Sequence, residues 1–122
     1  MVNVKITGVA AAKRALARLT RDVHEAQEDV AEKWAEHTER GAQARVPLDT
    51  GNLGSAIESR VKGEGADADA QVGVWEDDAF YGQFVEFGTE KQVAQPFLYP
   101  AATDANREVP RWTAEAINER LP

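Results

Sequence analysis

From about Val9 to Arg45 the chain runs without a proline, and its apolar residues fall at helical spacing. Leu16, Leu19, Val23, Ala26, Val30 and Trp34 recur at steps of three or four and build one apolar face. Arg14, Arg18, Arg21, Glu25, Glu28, Glu32 and Glu36 mostly cover the other sides. Pairs such as Asp29 with Lys33 and Glu36 with Arg40 add only tenths of a kcal/mol each. A helix of about 36 residues would extend roughly 54 Å. A compact domain of 122 residues is only roughly 35 Å across. The helix must therefore break or project. A break or kink near Thr20, with packing against neighbouring subunits, is the expectation. A free-standing coiled coil is disfavoured, because Ala26, Lys33 and His37 interrupt a strict seam.

The supply of core material points the same way. Hydrophobic residues make up 43% of the chain, but 21 of them are alanine and aromatic residues reach only 7%. Alanine buries little surface, so a lone subunit has a thin core, and oligomerisation is a common remedy. The length fits one domain, spanning 1–122.

The remaining elements follow from local signals. Val2, Val4 and Ile6 alternate with Asn3, Lys5 and Thr7, which predicts a short strand ended by Gly8. Pro47 stops the long helix. Leu48 to Leu53 reads as a turn opening one helical turn, Ile57–Lys62 as a strand, and residues 63–69 as an exposed loop. Ala70–Trp75 reads as the returning strand of a hairpin, with Val72 and Val74 inward and Gln71 and Gly73 outward. Ala79–Phe87 predicts a short helix capped by Gly88. Pro96–Pro100 reads as extended. A final helix from about Ala101 to Leu121 carries Ala105, Val109, Trp112, Ala116 and Ile117 on one face, and Pro110 is expected to kink or restart it. The fold class is α+β: a long N-terminal helix, kinked or broken, and a C-terminal helix packed on a small, mainly antiparallel sheet.

Chemistry is scarce. The net charge is −7. Residues 1–45 carry eight basic and seven acidic side chains, and residues 46–122 six and fourteen. Neither part offers a basic stripe, so direct and sequence-specific nucleic-acid binding is disfavoured. There is no cysteine, and no apolar run long enough for a signal peptide or a membrane span. His24 and His37 lie 13 residues apart and point about 140° apart on one helix, so they cannot share a ligand unless the helix breaks between them. Ser55 and Ser59 have no nucleophile-elbow context. Asp67 with Asp69, and Glu76 with Asp77 and Asp78, match no calcium loop and read as solvated turns. Trp75 ends a strand beside three acids, and stacking of a nucleobase there would need basic neighbours, which the local sequence lacks. No catalytic residue, metal or cofactor is assigned, and the chain is expected not to be an enzyme.

Three stretches follow no simple surface logic: Arg45–Leu53, Tyr81–Thr89 and Ala94–Ala101. In the first, Asp49 can accept backbone N–H bonds at a turn, Gly51 can take a positive φ, and Leu48 and Leu53 would anchor the turn. In the second, Thr89 can bond nearby backbone, and Glu86 can reach either backbone or a base such as Arg45. In the third, Pro96 and Pro100 stiffen a strip presenting Phe97, Leu98 and Tyr99, which loses less entropy on docking to an adjacent subunit. All three motifs could equally serve only to shape the monomer.

In order and spacing these stretches resemble the head–tail joining, or tail-completion, family of lambdoid (HK-type) tailed bacteriophages. The residues that carry the resemblance are Leu48, Asp49, Thr50, Gly51 and Leu53, then Tyr81, Glu86, Phe87, Gly88 and Thr89, then Pro96, Phe97, Leu98, Tyr99 and Pro100. Gly54 stands where a basic residue is usual, and Tyr99 where arginine is frequent. The resemblance implies a structural virion protein of the neck, where the tail meets the DNA-filled head. It implies several copies in a ring, a hexamer among the options, with head-closure and tail proteins as neighbours. Its place would be the virion, reached from the host cytoplasm during assembly, with no membrane partner. The negative C-terminal part could line a channel and keep passing DNA from sticking. The alternative reading is a non-viral adaptor that pairs its long amphipathic helix with a partner helix.

Overall fold

A computed structural model describes residues 8–47, 51–75 and 77–121, with side chains described outside 8–13, 15, 51–52, 66 and 77–81. The strand expected at 2–6 and the turn residues Leu48, Asp49 and Thr50 lie outside the described residues. The fold is α+β, as the pattern of periods predicts.

The first helix, α1 (Gly8–Arg45), is one element of 38 residues, about 57 Å long. The expected break near Thr20 does not occur. The Thr20 hydroxyl donates to the Leu16 carbonyl one turn back, at 3.0 Å, so it is satisfied inside the helix and offers no competing turn. The conflict between helix length and domain size is resolved by projection instead. At the C-terminal end the Arg45 guanidinium donates to the Gly41 carbonyl at 2.9 Å, where a cation suits both the orphan carbonyls and the dipole.

The last helix, α4 (Leu98–Asn118), runs antiparallel beside α1. Arg45 pairs with Asp104 near the start of α4. Trp34 Nε1 donates to Asn106 Oδ1 at 2.8 Å. Arg120, just past the end of α4, reaches Asp29 at 2.5 Å and Glu25 at 3.4 Å. Beyond that level Arg14 and residues 16–21 of α1 are exposed.

Small residues line the crossing. Ala26, Ala35 and Ala42 of α1 and Ala101, Ala105 and Ala116 of α4 are all buried, with Trp112 as the one large member among the buried residues of α4. A Cβ on Gly41 would fall 3.2 Å from that of Ala101. Trp112 meets His37 edge-to-face at 5.3 Å between ring centroids, while His24 lies against Gly65. Pro110 sits inside α4 without dividing it. Its missing N–H falls on an exposed turn, where water can serve the unpaired carbonyl.

Helix α2 (Gly51–Ala56) leads into an antiparallel hairpin of β1 (Glu58–Lys62) and β2 (Asp69–Gly73), in register from Glu58 opposite Gly73 to Lys62 opposite Asp69. The expected loop between them contains a 3₁₀ turn, Gly65–Asp67. Two α1 carboxylates hold the hairpin: Glu28 accepts the Gly65 N–H at 2.7 Å, and Glu39 accepts the Ser59 hydroxyl at 2.9 Å. Gly73 is buried rather than outward, because the Trp75 ring folds over it. The same ring carries the Arg60 guanidinium at 3.7 Å. Trp75 thus has a basic neighbour after all, supplied across the hairpin, and that cation occupies a ring face.

The core lies at the far end from the α1 overhang. Ala42, Val46, Leu53, Ile57, Phe97 and Ala101 form it, flanked by Val72, Val74, Val85 and Leu98. Phe97 and Thr38 are the largest fully buried side chains, so the core is as thin as the alanine content predicts.

This division of the molecule has a measurable consequence. Ala101→Leu overpacks the close crossing and should lower unfolding free energy by about 2 kcal/mol. Leu16→Ser, on the overhang, should change it by less than about 0.5 kcal/mol. Urea unfolding of the two variants separates these outcomes.

Candidate functional site

The second and third motif stretches meet at one corner, where α3 (Asp77–Phe87) gives way to α4. Gly82 sets how closely α3 can lie. A Cβ there would stand 2.7 Å from Val74 Cγ2 and 3.8 Å from the Phe97 ring. Gly88 then ends the helix as a left-handed cap with φ +78°, its N–H donating to the Phe84 carbonyl at 2.8 Å. Thr89 shapes the return. Its hydroxyl accepts the N–H groups of Lys91 at 3.2 Å and Gln92 at 3.0 Å. Gln95 N–H donates to the Val85 carbonyl at 2.8 Å and brings the chain back alongside α3.

Glu86 closes the corner. Its Oε2 accepts the N–H groups of Phe97 at 2.7 Å and Leu98 at 2.9 Å, and its Oε1 that of Tyr99 at 2.9 Å. These are the cap residue and the first two residues of α4; the next, Pro100, has no N–H. One carboxylate therefore satisfies every orphan donor of the helix start. In α3 alone Glu86 would be misplaced, since an anion in a last turn opposes the dipole. Its position is explained by the positive end of α4. The backbone branch of the two expected partners is the one observed; Arg45 is engaged with Asp104 and Gly41 instead.

The strip Pro96–Pro100 is correspondingly not extended. Leu98, Tyr99 and Pro100 form the first turn of α4, because a helix start tolerates proline and the carboxylate is there to cap it. Phe97 is 0% exposed, so it has no surface to give to a neighbour. Its role is in the subunit's own core. Leu53 is buried beside it. Gly51 opens α2, and Tyr81 lies within α3. Leu98 and Pro100 are half-buried and Pro96 exposed.

Two motif residues point the other way. Phe87 is 79% exposed and Tyr99 76%, one from the end of α3 and one from the start of α4. Between them opens a groove of about 470 Å³, lined by Trp34, Val72, Val74 and Leu98 as well as Phe87 and Tyr99. Thr38, also in its lining, carries a buried hydroxyl without a hydrogen-bond partner among the described residues. Sequence reading missed the groove, since its walls come from four separate elements. Among the described residues no group of three His, Asp or Glu side chains could hold a metal ion, and no helix is long and apolar enough to cross a membrane.

The family described as "Bacteriophage HK97-gp10, putative tail-component" matches residues 10–88. That span is 79 of 122 residues and runs from α1 to the glycine that caps α3. The chain belongs to the HK97-gp10-like family. It is a phage structural protein of a tail-component family, and the virion is its place of work. The matched span takes in the first motif stretch and the second as far as Gly88, and stops short of the third. HK97-gp10-like membership leaves the non-viral adaptor without support. No curated protein and no solved structure matches the chain.

The capping geometry predicts a graded series. Glu86→Ala strips three donors, one buried and two part-buried, of their acceptor and should cost about 3 kcal/mol. Glu86→Gln keeps the shape but turns an NH₂ toward at least one backbone N–H, and should cost roughly half as much. Gly88→Ala should lose about 1–2 kcal/mol to the left-handed φ alone, before its Cβ meets Ala94 N at 2.8 Å. Thermal unfolding of the three variants reads the order.

Proposed function

We propose that the protein is a neck subunit of a tailed phage or prophage, present in several copies as part of the ring that completes the tail and joins it to the DNA-filled head. Its work is mechanical and not catalytic: it offers surfaces to copies of itself and to the neighbouring head-closure and tail proteins. The observation that carries this reading is the unpartnered state of so much apolar surface. Leu16 and Leu19 stand exposed on the overhang of α1, and Phe87 and Tyr99 on the α3–α4 corner, in a chain of a phage tail-component family. Large apolar groups left in water at separate places mark sites of association. A closed ring uses two different patches on each subunit, which is the arrangement such separation supports. A net charge of −7 suits a part past which DNA must travel without adhering.

The test is removal of the gene from a phage or prophage that carries it. DNA-filled heads and finished tails should accumulate side by side, unjoined, in electron micrographs of the lysate. Loss of the tails themselves would place the protein in the tube or its initiator and overturn the neck assignment. Particles assembled normally would overturn the structural role.

A further inference from the structure

The hairpin of β1 and β2 is the only sheet among the described residues, and two strands are fewer than a sheet needs to be stable by itself. β2 is the covered strand: Val72 packs against the core and Gly73 is buried. β1 is bare. Glu58, Arg60, Val61 and Lys62 are all exposed, Val61 by 41%. Among the described residues β1 pairs only with β2, and no backbone hydrogen bond reaches its other edge. Ser59 and Val61 share one face of the strand, the face from which the Ser59 hydroxyl donates to Glu39 of α1. An open edge with a β-branched side chain left partly in water is a template for one more strand.

The sequence holds a segment that fits it. Val2, Val4 and Ile6 alternate with Asn3 and Lys5, the pattern of a strand with one apolar face. These residues lie outside the described ones, but their attachment point is fixed at Gly8, the tip of α1. The hairpin turn is held at Glu28, through Gly65, and β1 at Glu39, through Ser59. Along the helix these levels are about 30 Å and about 46 Å from Gly8. Residues 2–7, fully extended, span only about 20 Å. The segment cannot reach β1 of its own subunit. We infer that residues 2–6 of one copy add as a third strand to the open edge of β1 in the next copy. Backbone hydrogen bonds hold the added strand, and alternate side chains place it: Val2, Val4 and Ile6 extend the Val61 face, and Asn3 and Lys5 lie on the outer face with Glu58 and Arg60. The contact joins two different parts of the subunit, so it repeats around a ring, and the length of α1 is what carries the segment to the neighbour. This inference rests on the multi-copy reading proposed above and adds which parts meet.

The absence of cysteine from the chain makes the test direct. Copies with Val61→Cys are produced together with copies carrying one cysteine at position 2, 3, 4, 5 or 6, in a phage lacking its own gene. Purified particles are oxidised and run without reductant. A disulfide-linked dimer of the two kinds of copy is expected with Val2→Cys, Val4→Cys or Ile6→Cys, and several-fold less of it with Asn3→Cys or Lys5→Cys, because only alternate residues share the Val61 face. Proline gives a second measurement. Donors of successive residues point to opposite edges of a strand, so one of Asn3→Pro and Val4→Pro must remove a bond to β1. At least one of the two should enter particles several-fold less well than the unaltered chain produced beside it, with thermal unfolding of the purified subunit unchanged. Particles that contain the protein yet give equal links at all five positions, links only between like variants, or none, overturn the strand addition and leave the neck reading standing. So does free entry of both proline variants. Particles that assemble without the protein overturn the neck reading itself.

Discussion

The start of α4 depends on a single carboxylate. A helix that begins in a half-buried position leaves backbone N–H groups that must find acceptors. Here the chain before the helix, Gln95 and Pro96, supplies no side-chain cap, and none of the cap hydrogen bonds comes from Phe97 itself. Glu86 supplies them from another helix. That reach fixes the distance between α3 and α4. With it fixed, Phe97 is directed inward to complete a core that has little else of its size, and Tyr99, two residues on, is directed outward. Capping, core formation and the presentation of an outer surface are thus consequences of one contact.

The same contact explains why the sequence reads as it does around it. Gly88 must follow because the chain has to reverse within a few residues to return to Glu86, and only a left-handed cap turns that tightly. Thr89 follows because the reversal leaves the N–H groups of Lys91 and Gln92 without partners. Pro100 is tolerated because its position has no donor to lose. What looks like a string of unrelated residue types is one corner described in order.

How much of this could be read from the residues alone varies with the range of the cause. The helices, the hairpin and the glycine cap of α3 follow from period and local chemistry, and they are found close to where the pattern places them. Glu86 was legible as an oddity, an acid between Val85 and Phe87, with backbone as one of two partners. That α4 was the partner could not be read, because the partner lies eleven to thirteen residues away and the proline pair around it imitates an extended strip. The persistence of α1 is not legible for a related reason. The compact size expected of a chain this long limits a helix only where the chain is gathered, and here α4 reaches α1 from about Glu25 onward. Arg60 on Trp75 was invisible because neighbours in a hairpin are set by register, not by adjacency.

The alanine-rich crossing and the naked helix tip are connected. Gly41 against Ala101, with Ala42 in the same buried cluster, lets α1 and α4 approach closely, and a close crossing needs little apolar bulk to exclude water. The cost is that the subunit buries few large side chains, and its stability draws on hydrogen-bonded joints such as Glu86, Glu28 and Glu39 in place of volume. Those joints tie the hairpin to α1 at Glu28 and Glu39 and α3 to α4 at Glu86. None is available to the turns of α1 before Glu25, whose leucines continue the same apolar stripe that α4 covers further along. A stripe covered for part of its length and bare for the rest is not a packing error in a helix this regular. Its period continues undisturbed through Leu16 and Leu19, so the apolar stripe of α1 outruns the helix that covers it.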